Sequence, residues 1–169
     1  MTDIGESIQR ARTALASKPD AGPAPDRPAS AVVEDGLRCR VEGPEGWAVV
    51  TDMPGAVGGG ASAPTPGWVM RAAWASCAAT AIAMRAAELD ISLTRLEVTA
   101  ESESDMRGLL GVGTGIAAGP ERARMQVQIA ADNTDVERLH ELVAWAERHS
   151  PVGDALGRAV PMELEVAAG

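Results

Sequence analysis

The stretch from Ala63 to Leu89 constrains this chain more than any other. Pro64 and Pro66 suit the entrance of a helix and not its interior. After Gly67, neither proline nor glycine recurs before the chain has passed Glu88, and only Arg71, Arg85 and Glu88 carry charge. A helix so poor in charge must be wrapped by other structure on most sides. Met70, Trp74, Cys77, Ala81 and Met84 recur at steps of three and four and form one stripe. One of the two cysteines of the protein therefore sits mid-stripe on what reads as its most buried helix.

The 169 residues read as one principal domain, large enough for a real core. With four Trp and no Phe or Tyr, that core must be built from Ala, Val, Leu, Ile and Met. Small side chains bury little area each, which points to an oligomer. A net charge of −9 argues against nucleic acid and against an anionic membrane surface, both of which need basic patches. The 13 residues between Arg71 and Arg85 are too few for a membrane span. The start, Met-Thr-Asp-Ile-Gly-Glu-Ser, lacks the pattern of a signal peptide, so the two cysteines read as reduced thiols in a cytoplasm.

Ile4, Ile8, Ala11 and Leu15 predict a short amphipathic helix capped by Asp3. The prolines between Pro19 and Pro28 make a linker, so residues 1–30 form an arm and 31–169 the domain. The arm is either a mobile tail or a strap over a partner subunit. Leu37, Cys39 and Val41 alternate with charged residues, and after the turn Gly43-Pro44-Glu45-Gly46 the run from Trp47 to Thr51 returns as the second strand of a hairpin. Met53 to Pro64 is a glycine-rich loop into the central helix. Beyond the helix, Leu96, Val98 and Ala100 mark one strand and Met125, Val127 and Ile129 another. Thr134 to Glu137 has the pattern of a capping box, followed by a helical stripe of Val136, Leu139, Leu142, Val143 and Ala146. Ser150 and Pro151 open a short helix, and Met162, Leu164 and Val166 close the chain as a strand. This order predicts an α+β fold with a mostly antiparallel sheet around the central helix.

Few groups suggest chemistry. Gly111-Val-Gly113-Thr-Gly115 lacks the Lys-Ser/Thr of a phosphate loop and does not lead into a helix, so it reads as a hairpin loop. His140 and His149 fall on nearly opposite helix faces, and no spacing closes a tetrahedron, so neither a metal nor another cofactor is expected. Cys39 reads as a small packed hydrophobe. From the residues alone, Cys77 reads the same way.

Two distant stretches change that reading. Pro64-Thr65-Pro66-Gly67-Trp68-Val69-Met70-Arg71-Ala72-Ala73-Trp74-Ala75-Ser76-Cys77 resembles the central-helix motif of the OsmC/Ohr family, a proline-led entrance to a small-residue helix ending in Ser/Ala-Cys. Ser150-Pro151-Val152 resembles the family's second signature, Cys-Pro-Val before a short helix. Thr51-Asp52-x-Pro54 and the glycines after it resemble the branch outside the best-characterised peroxidases.

The resemblance implies an intertwined homodimer with sites at the subunit interface, and the reduction of hydroperoxides through a thiolate. On it, Cys77 is the nucleophile. Ser150 stands where the resolving cysteine belongs, and a hydroxyl cannot condense with a sulfenic acid. Gly67 stands where the peroxidases carry a glutamate that orients an arginine. Arg38 and Arg40 lie in the corresponding early strand, and no motif fixes either as the equivalent. A thiolate in apolar surroundings needs positive potential nearby, and Cys77 is about ten residues, or ~15 Å, from the start of its own helix. Ser150 is either a plain helix cap or a hydrogen-bond donor to the thiolate. Three functions follow: a one-cysteine peroxidase regenerated by an external thiol, a non-catalytic dimer binding a small apolar ligand in a pocket of Trp68, Met70, Trp74 and Cys77, or an interaction module with Cys77 as packing.

Overall fold

The computed structural model describes residues 3–169. Helix α1 (Ile4–Ser17) begins where expected, with the Asp3 carboxylate accepting from the Glu6 N–H at 2.8 Å. It lies against the C-terminal half of the central helix α2 (Pro66–Glu88) of the same chain. Gly5 permits the approach, since a Cβ there would stand 2.7 Å from the Ala87 carbonyl oxygen. Arg12 pairs with Glu88, which Arg85 also holds at 2.6 Å. Residues 23–29 then run exposed and without helix or strand.

Three antiparallel strands follow where the sequence predicts two: β1 (Ser30–Asp35), β2 (Arg38–Glu42) and β3 (Ala48–Thr51). Strand β1 is hidden in the sequence because Val32 and Val33 are adjacent and do not alternate; they are 64% and 63% exposed. The β2–β3 connection is the predicted turn, with Glu45 and Gly46 at positive φ. Cys39 is half-buried, opposite Val33 on one side and Thr51 on the other.

The second sheet pairs β4 (Leu93–Glu103) with β5 (Arg122–Ala131). Its register sets Leu96 opposite Ile129, Val98 opposite Val127 and Ala100 opposite Met125, so the two alternating patterns meet on one face. The glycine-rich connection between them carries a short helix α3 (Met106–Leu109), and Gly111, Gly113 and Gly115 all take positive φ. Against this sheet pack α2 and α4 (Val136–Arg148). Ala81, Ile82 and Ala86 of α2 meet Leu142 and Ala146 of α4 at the centre, and Leu96, Val98, Val127 and Ile129 close over them. Helix α5 (Pro151–Gly157) follows, resting on α2. Among the described residues no helix is long and apolar enough to cross a membrane.

Four local expectations are corrected. The buried face of α2 runs through Ala78, Ala81, Ile82 and Ala86, and Met84 is exposed, because a helix apolar almost all round does not define its own inward side. Val136 is exposed at the first turn of α4. The cap of α4 is Asp135, whose carboxylate accepts from the Arg138 N–H at 2.7 Å, while the Thr134 hydroxyl donates back to the Asp132 carbonyl. Residues 159–169 form no strand: Met162, Leu164 and Val166 are almost fully exposed, since an extended segment becomes a strand only when another edge takes up its N–H and C=O groups.

Candidate functional site at Cys77

Thr65 starts α2, its hydroxyl accepting from the Trp68 N–H at 3.2 Å, and Pro66 occupies the first turn. Three turns on, Cys77 is half-buried on the side of α2 facing α5. Ser150, at the entrance to α5, is only 2% exposed. Its Oγ accepts from the Gly153 N–H at 3.2 Å and donates to Cys77 Sγ at 3.2 Å. The two readings left open for Ser150 are thus one arrangement, a cap that also hydrogen-bonds the thiol. Both cysteines are free thiols.

Beside this pair opens a cavity of about 890 Å³, lined by Met70, Arg71 and Trp74 of α2, Ser102 and Ala123 of the β4–β5 sheet, and α4–α5 residues that include Gly153 and Leu156. Gly153 lines the cavity next to Ser150 and Trp74: a Cβ there would stand 3.2 Å from Ser150 Oγ and 3.5 Å from Trp74 Nε1. Met70 and Trp74 therefore sit where a ligand pocket was expected, whereas Cys77 lies outside the cavity lining. Trp68 is 52% exposed and outside that lining too.

Arg38 and Arg40 lie on β2, in the separate three-stranded sheet, and neither lines the cavity. Arg38 donates to Ser62 Oγ at 2.9 Å and pairs with Glu34. Arg40 pairs with Glu42 at 2.7 Å, which raises its pKa above the ordinary arginine value. Two other arginines line the cavity: Arg148, which is exposed, and the half-buried Arg71, whose Nη1 donates to Ser102 Oγ at 3.1 Å. The only sign of it in the sequence is a charge kept four residues after Gly67 in a helix otherwise almost free of charge.

Asp52 is buried where β3 enters the glycine-rich loop, and its carboxylate accepts from the N–H groups of Met53, Gly60 and Ser62 and from the Ser62 hydroxyl. These donors, Ser62 foremost, hold its pKa down at about 2. The loop closes so tightly that a Cβ on Gly59 would overlap the Met53 carbonyl. Asp52 thus anchors the approach to α2. His149 stacks on Trp145 with ring centres 3.9 Å apart, and His140 is exposed. Among the described residues no three His, Cys, Asp or Glu side chains are grouped to hold a metal ion.

The family model for OsmC-like proteins matches residues 58–165, from the glycine-rich loop to the segment beyond α5. The chain belongs to the OsmC-like protein family. The comparison with curated proteins finds no match. The fold of this OsmC-like protein is similar to that of an OsmC-like protein from Mycoplasma pneumoniae, with a TM-score of 0.67 and 13% identity over 80% of this chain and 89% of that one. It is similar also to an organic hydroperoxide resistance protein from Legionella pneumophila (TM-score 0.57, 23% identity, 79% and 90% covered) and to one from Elizabethkingia anophelis (0.58, 17%, 79% and 89%).

Proposed function

We propose that this OsmC-like protein reduces organic hydroperoxides through Cys77 alone, with an external thiol as reductant. The observation that carries the reading is the 3.2 Å hydrogen bond from the buried Ser150 hydroxyl to Cys77 Sγ. An O–H aimed at sulfur is the kind of donor that holds a sulfur anion in a water-poor site. The Cys77 thiolate attacks one oxygen of the hydroperoxide, the O–O bond breaks, and the alkoxide leaves and takes up a proton as the alcohol. Cys77 is left as a sulfenic acid. One external thiol displaces water from it to form a mixed disulfide, and a second releases Cys77 and leaves as the reductant's own disulfide. The names of the Legionella and Elizabethkingia proteins support the substrate class.

The test is to treat the reduced protein with cumene hydroperoxide in the presence of a sulfenic-acid trap and to read the adduct by peptide mass. Adduct at Cys77, and none in Cys77→Ser, is the expected result. An unmodified Cys77 under conditions that oxidise a control thiol sinks the proposal.

A second reading, binding of a small apolar ligand without turnover, is favoured by the cavity alongside Cys77. Either function is carried by a homodimer. In support, α2 leaves Ala73, Ser76, Thr80 and Met84 exposed along one face, β1 and β3 expose Val32, Val33 and Val49, and the segment with Met162, Leu164 and Val166 has no strand partner among the described residues of its own chain.

A further inference from the structure

We infer that the cavity beside Cys77 binds a small apolar molecule carrying one carboxylate, and that Arg71 is the residue that receives the carboxylate. The inference deepens the ligand-binding reading and does not require Cys77 to react.

Three observations converge on Arg71. First, among the described residues Arg71, Arg122 and Arg148 are the arginines with no carboxylate oxygen within 4.0 Å, and of these only Arg71 is half-buried. Its one side-chain partner is the neutral Ser102 hydroxyl at 3.1 Å, which orients the guanidinium and leaves most of its donors unused. A half-buried guanidinium that faces an apolar cavity without an anion has donors to spare, and a ligand carboxylate takes them up with two parallel N–H···O bonds.

Second, the place from which this chain would supply an internal anion is empty. Gly67 lies four residues before Arg71, where a side chain on the same helix face reaches it. A Cβ on Gly67 would stand 3.8 Å from Arg71 Nη1, with no closer neighbour. Glycine therefore leaves the approach to the guanidinium open. Of the carboxylates on the α4–α5 wall, Asp154 is held by Arg158 at 2.6 Å and Glu147 is exposed.

Third, apart from Ser102 and the charged Glu147, Arg148 and Asp154 of the α4–α5 wall, the rest of the lining is apolar or glycine. Met70, Trp74, Ala123 and Leu156 surround a space of about 890 Å³, a size suited to a molecule of several to a dozen or more carbons. An apolar body against these side chains and a carboxylate on Arg71 match both parts of the site.

The test uses the full-length reduced protein and two probes of equal chain length, sodium octanoate and 1-octanol, titrated at low salt and followed by tryptophan fluorescence and calorimetry. Octanoate is expected to bind at least about tenfold more tightly than octanol, the advantage of a hydrogen bond to a charged group. Arg71→Leu should bring octanoate to the level of octanol while leaving octanol within about twofold. Gly67→Glu, at an exposed position with room for a side chain, should do the same by placing a carboxylate on Arg71, and it serves as the test if Arg71→Leu fails to fold. Equal binding of the two probes to the unaltered protein overturns the inference while leaving apolar binding in place, as does a preference for octanoate that survives either substitution. Binding of neither probe overturns both. The peroxide experiment on Cys77 is unaffected by any of these outcomes.

Discussion

The Ser150 hydroxyl accepts from Gly153 N–H and donates to Cys77 Sγ, so a thiol in its place keeps the position and changes the chemistry. A disulfide is about 2.0 Å long, against an Oγ···Sγ distance of 3.2 Å, a gap that side-chain rotation can close. Ser150→Cys treated with one equivalent of cumene hydroperoxide should yield an intramolecular disulfide to Cys77, one alcohol and one water, detected by non-reducing peptide mapping. Failure to find it while Cys77 is oxidised would contradict the facing geometry. Asp52 makes a second prediction at this scale. Its pKa is about 2 in the fold against an ordinary 3.8. The stabilisation is therefore complete above about pH 4 and is lost as the pH falls towards 2. Denaturant midpoints at pH 4, 3 and 2 should fall less steeply in Asp52→Asn than in the unaltered protein. Of this, the Ser150 cap was legible in the sequence, from Ser-Pro at a helix start, and the Asp52 anchor was not. Nor was Arg71, because a lone charge on an apolar helix does not say which cavity it will meet.

At the scale of elements, periodicity placed α1, α4, β2, β4 and β5, and proline and cap signals placed the starts of α2 and α5. Periodicity failed where a pattern carries no direction. Helix α2 is apolar on nearly every side, so its inward face was set by α4 and by the β4–β5 sheet and not by its own stripe. Ile82, absent from the predicted stripe, is 1% exposed. Ile82→Ala should lower stability by about 2–5 kcal/mol through the cavity it leaves. Val136→Ala should stay within about 0.5 kcal/mol, since Val136 is 67% exposed although the α4 pattern counts it as core. Both are read from denaturant midpoints. The capping box of α4 shows the same limit on a finer grid: Thr134 and Asp135 are both good caps, and the bond to the Arg138 N–H decides for Asp135.

For the whole molecule, the chain divides its strands between two antiparallel sheets, and among the described residues β1–β3 has no helix packed extensively upon it. Sedimentation equilibrium should return twice the chain mass of 17.4 kDa, and removal of residues 159–169 should raise the monomer fraction; a lone 17.4 kDa species at micromolar concentration would refute the dimer. The amino-acid sequence by itself determined the α+β class, the identity and rough extent of most elements, and the family resemblance. These depend on local periodicity, caps and short motifs, which are written in neighbouring residues. Only the tertiary structure decided that β1 is a third strand, that Ser150 Oγ reaches Cys77 Sγ and that Arg38 and Arg40 lie on a different sheet. It alone set Arg71 in the cavity without an anion. Each of these is a meeting of groups far apart in the chain, and such meetings are fixed by how helices and sheets pack, which no local pattern encodes.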